Sequence, residues 1–198
     1  MKFSSISLMV LLNTLALGFS AVQAQAPTLV PATPTAQAAN ANVEWLTFEE
    51  AMKKLETEPR KVFIDVYTDW CGWCKRMDAN TFANPTIAGY LNEKWYAVKF
   101  NAEQKTPILY KGKEYTFVPS SSRGYNQLAA ELTGGRLSYP TTVYLDEQGN
   151  PIQAIPGYKD AYNMDKILHF FGENHHLDKS WVEFQQAYQS PLREGATN

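Results

Sequence analysis

Lys61-Val62-Phe63-Ile64-Asp65-Val66-Tyr67-Thr68-Asp69-Trp70-Cys71-Gly72-Trp73-Cys74-Lys75 joins an apolar run to a pair of cysteines. Lys61 to Tyr67 is β-branched and aromatic and short enough to be a buried strand, so a central parallel strand is expected there. The cysteines follow at once, three apart. On a helix that spacing puts both side chains on one face, where two sulfurs can meet in a disulfide. The first cysteine stands at the helix start, beside unpaired backbone N–H groups and the positive end of the macrodipole, which favour its thiolate. Cys71 is therefore expected to attack at neutral pH. Cys74, one turn further in, should be less exposed and resolve the mixed disulfide.

These are the only cysteines in 198 residues, too few for a disulfide scaffold. Two bland readings compete with redox chemistry. A structural zinc site needs four ligands, whereas His169, His175 and His176 lie far away near the C-terminus and read as surface or helix-end residues. A permanently closed structural disulfide would span only two intervening residues, and so would constrain the unfolded chain little. Thiol exchange itself needs no metal and no cofactor.

Strands and helices alternate outward from the motif. Upstream, Thr47 and Glu50 form a capping-box pattern before Phe48, Ala51, Met52 and Leu55, which predicts a helix to about Leu55. Downstream, a helix is expected from Cys71 to about Phe82, a short one after Pro85 and a strand from Trp95 to Phe100. The stretch from Asn101 to Arg123 reads as an insertion. A small hairpin is expected in it, with Leu109-Tyr110 and Tyr115 to Val118 flanking Lys111-Gly112-Lys113-Glu114. Its default reading is a surface loop, and the alternative is a lid or partner surface near the cysteines. A helix from Tyr125 to Leu132, a strand from Thr141 to Leu145, an antiparallel strand from Ile152 to Ile155 and a helix through Met164, Ile167, Leu168 and Phe171 follow. Trp181, Phe184 and Tyr188 add a last helix. The order predicts an α/β fold around one mixed central β-sheet flanked by helices.

The ends differ in kind. Lys2, the apolar run from Ile6 to Phe19 and Val22-Gln23-Ala24 make a cleavable signal peptide the expectation for residues 1–24. Residues 25–42 are rich in Ala, Pro, Thr, Gln and Asn and are expected to be a flexible linker. The folded domain is then placed at 43–190, with a tail at 191–198. A net charge of −2 gives no electrostatic footprint for nucleic acid, and the only long apolar run is N-terminal, so the chain is not expected to be membrane-embedded once the signal is cut.

Residues 63–75 resemble the active-site strand and helix of thioredoxin-like proteins, and Leu137-Ser138-Tyr139-Pro140-Thr141-Thr142 resembles their proline loop. The resemblance covers about residues 44–172. It is nearest to exported bacterial thioredoxin-like proteins and to the C-terminal periplasmic domain of the DsbD reductase, where a Thr-Phe follows the active-site helix as Thr81-Phe82 does here. It implies a thioredoxin fold, with the insertion before the cis-proline loop and an extra C-terminal helix. It also implies that Asp65 is a buried acid able to accept the proton of Cys74, that Lys99 approaches it, and that Pro140 is cis and faces the disulfide. A solvent-facing Asp65 and a plainly exposed Lys99 are the competing readings. Trp70, Gly72, Trp73, Tyr139 and Pro140 become the expected substrate contacts.

The expected function is an exported, periplasmic or secreted thiol-disulfide oxidoreductase acting on protein disulfides or dithiols and recharged by a membrane electron-donor protein. Trp73 stands where reducing cytosolic relatives have Pro and oxidising or isomerising ones often have His, so direction is open; the Asp65 and Lys99 pair favours a reductant. A thiol oxidant of the same fold and a non-catalytic binding module are the alternatives.

Overall fold

The computed structural model describes residues 42–121 and 123–194. The expected signal peptide, and the expected linker apart from Asn42, lie outside the described residues. The helix α1 (Phe48–Leu55) starts at the expected capping box, with Thr47 and Glu50 bonding reciprocally. Strand β1 (Lys61–Tyr67) follows, then the short helix α2 (Gly72–Met77), α3 (Pro85–Lys94) and β2 (Trp95–Asn101). The sequence predicted one α-helix from Cys71 to Phe82. Instead, Asp78–Phe82 is a π-helical turn, closed by the bond from the Ala83 N–H to the Asp78 carbonyl at 3.1 Å. There the Thr81 hydroxyl donates to the Lys159 carbonyl at 2.6 Å, and Phe82 enters the core.

The main sheet is completed by β7 (Thr141–Leu145) and β8 (Pro151–Pro156), in the order β2-β1-β7-β8. β1 runs parallel to β2 and antiparallel to β7, which also pairs antiparallel with β8. The sheet is mixed, and β1 lies inside it, flanked on both sides, as its apolar run requires. Side chains alternate across it. Val62, Ile64, Val66, Val98 and Phe100 share one core with α1, while Phe63 and Ala97 share the other with α3 and α5 (Ala161–Gly172). The helix α6 (Trp181–Ala187) docks Phe184 on that second core; Leu192, within the expected tail, also packs against it. His169 lies at a helix end, in the last turn of α5, where it stacks on Tyr90 with ring centroids 3.9 Å apart.

The insertion differs from its expected form. The hairpin is only β3 (Ile108–Tyr110) with β4 (Lys113–Tyr115), turning at Lys111 and Gly112, both at positive φ. Phe117 and Val118 leave it as β5 and pair with β6 (Tyr125–Asn126). The following helix α4 (Gln127–Leu132) therefore begins two residues later than expected, capped by Asn126. Nor is the segment a loose surface loop. Ile108, Tyr110 and Tyr115 are buried in the first core, Tyr110 meets Phe48 edge-on at 5.2 Å, and its hydroxyl donates to the Gly149 carbonyl. Burial pushes the Tyr110 phenol up to about 12.

Candidate active site

Cys71 and Cys74 are joined by a disulfide at the start of α2. Cys71 is the N-cap, and its sulfur accepts the Cys74 backbone N–H at 3.0 Å, a bond that favours negative charge on that sulfur when the pair is reduced. Cys71 is 5% exposed and Cys74 1%, the order expected of an attacking and a resolving thiol. Gly72 between them is exposed, with open space where a Cβ would stand. Tyr139–Pro140 is a cis peptide bond.

Two aromatic pairs frame the cysteines. Trp70 meets Tyr139 edge-on at 5.9 Å, and Trp73 lies 5.5 Å from Tyr158; the two tryptophans are 50% and 56% exposed. The Gly157 N–H donates to the Pro140 carbonyl at 2.8 Å, tying the Tyr158 side of the frame to the proline loop. Among the described residues, the backbone N–H and C=O of Tyr139, two residues before β7, take no hydrogen bond.

The parallel register sets Asp65 directly across from Lys99. Asp65 is fully buried and the Lys99 ammonium donates to it at 2.6 Å, so neither the solvent-facing aspartate nor the plainly exposed lysine holds. Lys99 also bridges to the half-exposed Asp78, which the π-helical turn brings within reach. Burial pushes Asp65 up to about 6 against the pull of Lys99. Burial lowers Lys99, but attraction to Asp65 and hydrogen bonds to both carboxylates outweigh it, and its pKa ends raised. Both partners rise because Asp65 is wholly desolvated while Lys99 is less deeply buried. At neutral pH the pair is therefore ionised, with the carboxylate poised to take a proton just below.

Of the residues the sequence nominated, the structure joins Cys71 to Cys74, Asp65 to Lys99 and Trp70 to Tyr139. It adds Asp78, which lies four residues after Cys74 and so on the same helical face, a spacing that would have flagged it. It also adds Glu103, whose carboxylate accepts the Trp70 indole N–H at 3.0 Å, together with Arg76 and Arg123, which lie over the two tryptophans. Among the described residues, no group of three or more His, Cys, Asp or Glu is arranged to hold a metal.

Several known proteins are similar to this chain in sequence or in structure. The chain is 26% identical over 126 residues to the thiol:disulfide interchange protein DsbD of Photorhabdus laumondii, a match covering 63% of this chain and 18% of that one. It is 32% identical over 84 residues to human spermatogenesis-associated protein 20, covering 41% and 10%. The chain thus spans less than a fifth of either relative. Among solved structures, a putative disulphide-isomerase from Bacteroides thetaiotaomicron is similar with a TM-score of 0.48 and 24% identity, over 73% of this chain and all of that one. A family model described as a thioredoxin-like domain matches residues 48–172. The chain belongs to the thioredoxin-like family and carries the redox C-x-x-C pair of its protein-disulfide oxidoreductases.

Proposed function

We propose that the protein is an exported thiol-disulfide oxidoreductase that reduces disulfides in protein substrates. The observation carrying this reading is the placement of Cys71 at the helix start, its sulfur accepting the Cys74 N–H, with the buried Asp65 and Lys99 pair on the adjoining strands. In the reduced protein the Cys71 thiolate attacks one substrate sulfur; a mixed disulfide forms and the other substrate sulfur leaves as a thiolate. Cys74 then gives up its proton, for which Asp65 is the acceptor, and attacks the Cys71 sulfur. The second substrate sulfur leaves, two electrons have passed to the substrate, and Cys71–Cys74 is again a disulfide. Trp70, Gly72, Trp73, Tyr139 and Pro140 contact the substrate, whose extended chain pairs with the backbone N–H and C=O of Tyr139.

The direction rests on Asp65. A carboxylate that binds a proton near pH 6 and stands in the ionised form at neutral pH suits deprotonation of a resolving thiol. The same reading calls for an electron donor, a membrane protein on the exported side, to restore the dithiol. The DsbD relatives, named for thiol:disulfide interchange, support that chemistry. Among the described residues no helix is long and apolar enough to cross a membrane.

Two measurements test the proposal. Replacing Cys74 with Ser should trap substrates as mixed disulfides through Cys71 that a strong reductant releases; partners retained under reducing conditions would instead indicate a binding module. Equilibration against glutathione, followed by tryptophan fluorescence, should give a potential near about −270 mV, the thioredoxin range. A value near about −120 mV would reverse the direction to an oxidant.

A further inference from the structure

The tryptophans flanking the redox pair are half open to solvent, and each is overlain by an arginine. The Arg123 guanidinium lies 4.1 Å from the Trp70 ring centroid. That of Arg76 lies 5.3 Å from Trp73 and 5.9 Å from Tyr158. Both arginines are exposed, and among the described residues neither has a carboxylate within ion-pair distance, nor does the neighbouring Lys75. A guanidinium lying over a ring keeps in-plane N–H donors free for a carboxylate, which it can hold bidentately.

The loop carrying Arg123 is anchored by close packing. At the next residue, Gly124, a Cβ would stand 2.1 Å from the Phe117 ring and 2.5 Å from the Val118 carbonyl, so only glycine fits there. The acidic side chains on the same rim already have partners: Glu103 accepts the Trp70 indole N–H, and Asp69 accepts the Asn101 amide at 3.2 Å. Both donors are neutral, so the two carboxylates keep their charge but are engaged at the Trp70 indole and the Asn101 amide, and Arg76, Arg123 and Lys75 outnumber them three to two.

We infer that Arg123 and Arg76 are specificity residues that select substrate segments carrying Asp or Glu on both sides of the target cysteine. The segment would run past Tyr139, with one flanking carboxylate at Arg123 above Trp70 and the other at Arg76 above Trp73. This rests on the exchange reading of the site and adds to it a class of substrate. Exposed charge contacts are individually weak, so two together give a preference of about tenfold, which salt reduces.

The test uses the reduced protein and three peptides of equal length, each bearing one cysteine in mixed disulfide with mercaptoethanol and flanked by Asp, Asn or Lys. Thiol release is followed at low and high salt. The Asp peptide should react about tenfold faster than the Lys peptide at low salt, with Asn between, and the gap should narrow as salt rises. Arg123→Gln and Arg76→Gln should each lower the Asp-to-Lys ratio about threefold, and the double variant should bring it near one. Arg123→Lys, which keeps the charge, should retain most of the ratio. A wild-type ratio near one, or a ratio that the double variant leaves intact, overturns the inference. Hydroxyethyl disulfide separates the two readings: if wild-type protein reduces it while the ratio is near one, exchange stands and the selectivity falls. If neither it nor any peptide is reduced, the exchange reading itself falls.

Discussion

The two faces of the central sheet are made by alternate residues of the same strands, yet they bury different chemistry. On one face Val62, Ile64, Val66, Val98 and Phe100 meet α1, α4 and the insertion, and the strand side chains there carry no charge, Tyr96 and Thr141 adding only hydroxyls. On the other, Phe63, Asp65 and Tyr67 alternate with Ala97 and Lys99 across the register, so an ion pair interrupts the core beside the redox helix. Desolvated charge is costly even when paired, and an apolar pair of similar volume is often as stable or more so. The difference teaches that the first face holds the fold, whereas the second gives up stability to keep a titratable group inside.

The largest expected effect is on the apolar face. Phe100 is 1% exposed and packs against Phe48 with centroids 6.1 Å apart. Phe100→Ala should cost about 3–5 kcal/mol in denaturant unfolding, through lost burial and the cavity left behind, and should leave the reduction potential within error of wild type. A large change in potential would show that the faces are not separable. Tyr110→Ala extends the comparison to the insertion, with an expected loss of about 2–4 kcal/mol, since it empties a core site and orphans the Gly149 carbonyl. A loss under about 0.5 kcal/mol would return the insertion to the status of a surface loop.

These positions also mark what the sequence revealed. β1 was legible because five of the seven residues from Lys61 to Tyr67 are β-branched or aromatic, which leaves few alternatives, and Asp65 in the middle of them signals its own importance. Cys71 and Cys74 were legible through spacing, and α1 through its capping box. The strands of the insertion were not, because two- and three-residue strands are too short to show a period, although its aromatic Tyr110, Tyr115 and Phe117 read as small-core packing and the first two are buried in the core. Asp78 was passed over because its partner Lys99 lies 21 residues further on, on β2, and only the fold brings the two together. Glu103 and Arg123 act only through Trp70, a meeting that tertiary packing alone arranges.

The charged face has the next prediction, with opposite sign. Burial lifts Asp65 from 3.8 to about 6, so between those values the folded state binds more protons than the unfolded one. Its contribution is then fully present below about pH 4 and is lost as pH rises through 6, which makes the ionised carboxylate a net cost at pH 7. Asp65→Asn should therefore be more stable than wild type at pH 7, by at most about 3 kcal/mol, and nearly equal to it near pH 4. Paired melts at the two pH values read this directly. The same variant should resolve mixed disulfides more slowly above pH 6, where wild type holds a carboxylate. A variant less stable at pH 7 would mean that the ion pair with Lys99 supports the fold, and the contrast between the faces would collapse.

The smallest effect is expected where motif and insertion touch. Trp70 comes from the motif and Glu103 from the turn after β2 that opens the insertion, and one hydrogen bond joins them at a half-exposed ring. Because water can replace that bond, Glu103→Ala should cost no more than about 1 kcal/mol in global stability. Local readouts should be larger than that figure suggests: the Trp70 indole N–H resonance should shift and its exchange quicken, while that of the buried Trp95 stays put. The bond fixes the edge of a ring whose face meets Arg123, so its loss frees the indole to rotate without disturbing either core. Unchanged Trp70 exchange in the variant would mean that Tyr139 and Arg123 alone hold the ring, leaving the insertion's grip on the active site to the guanidinium.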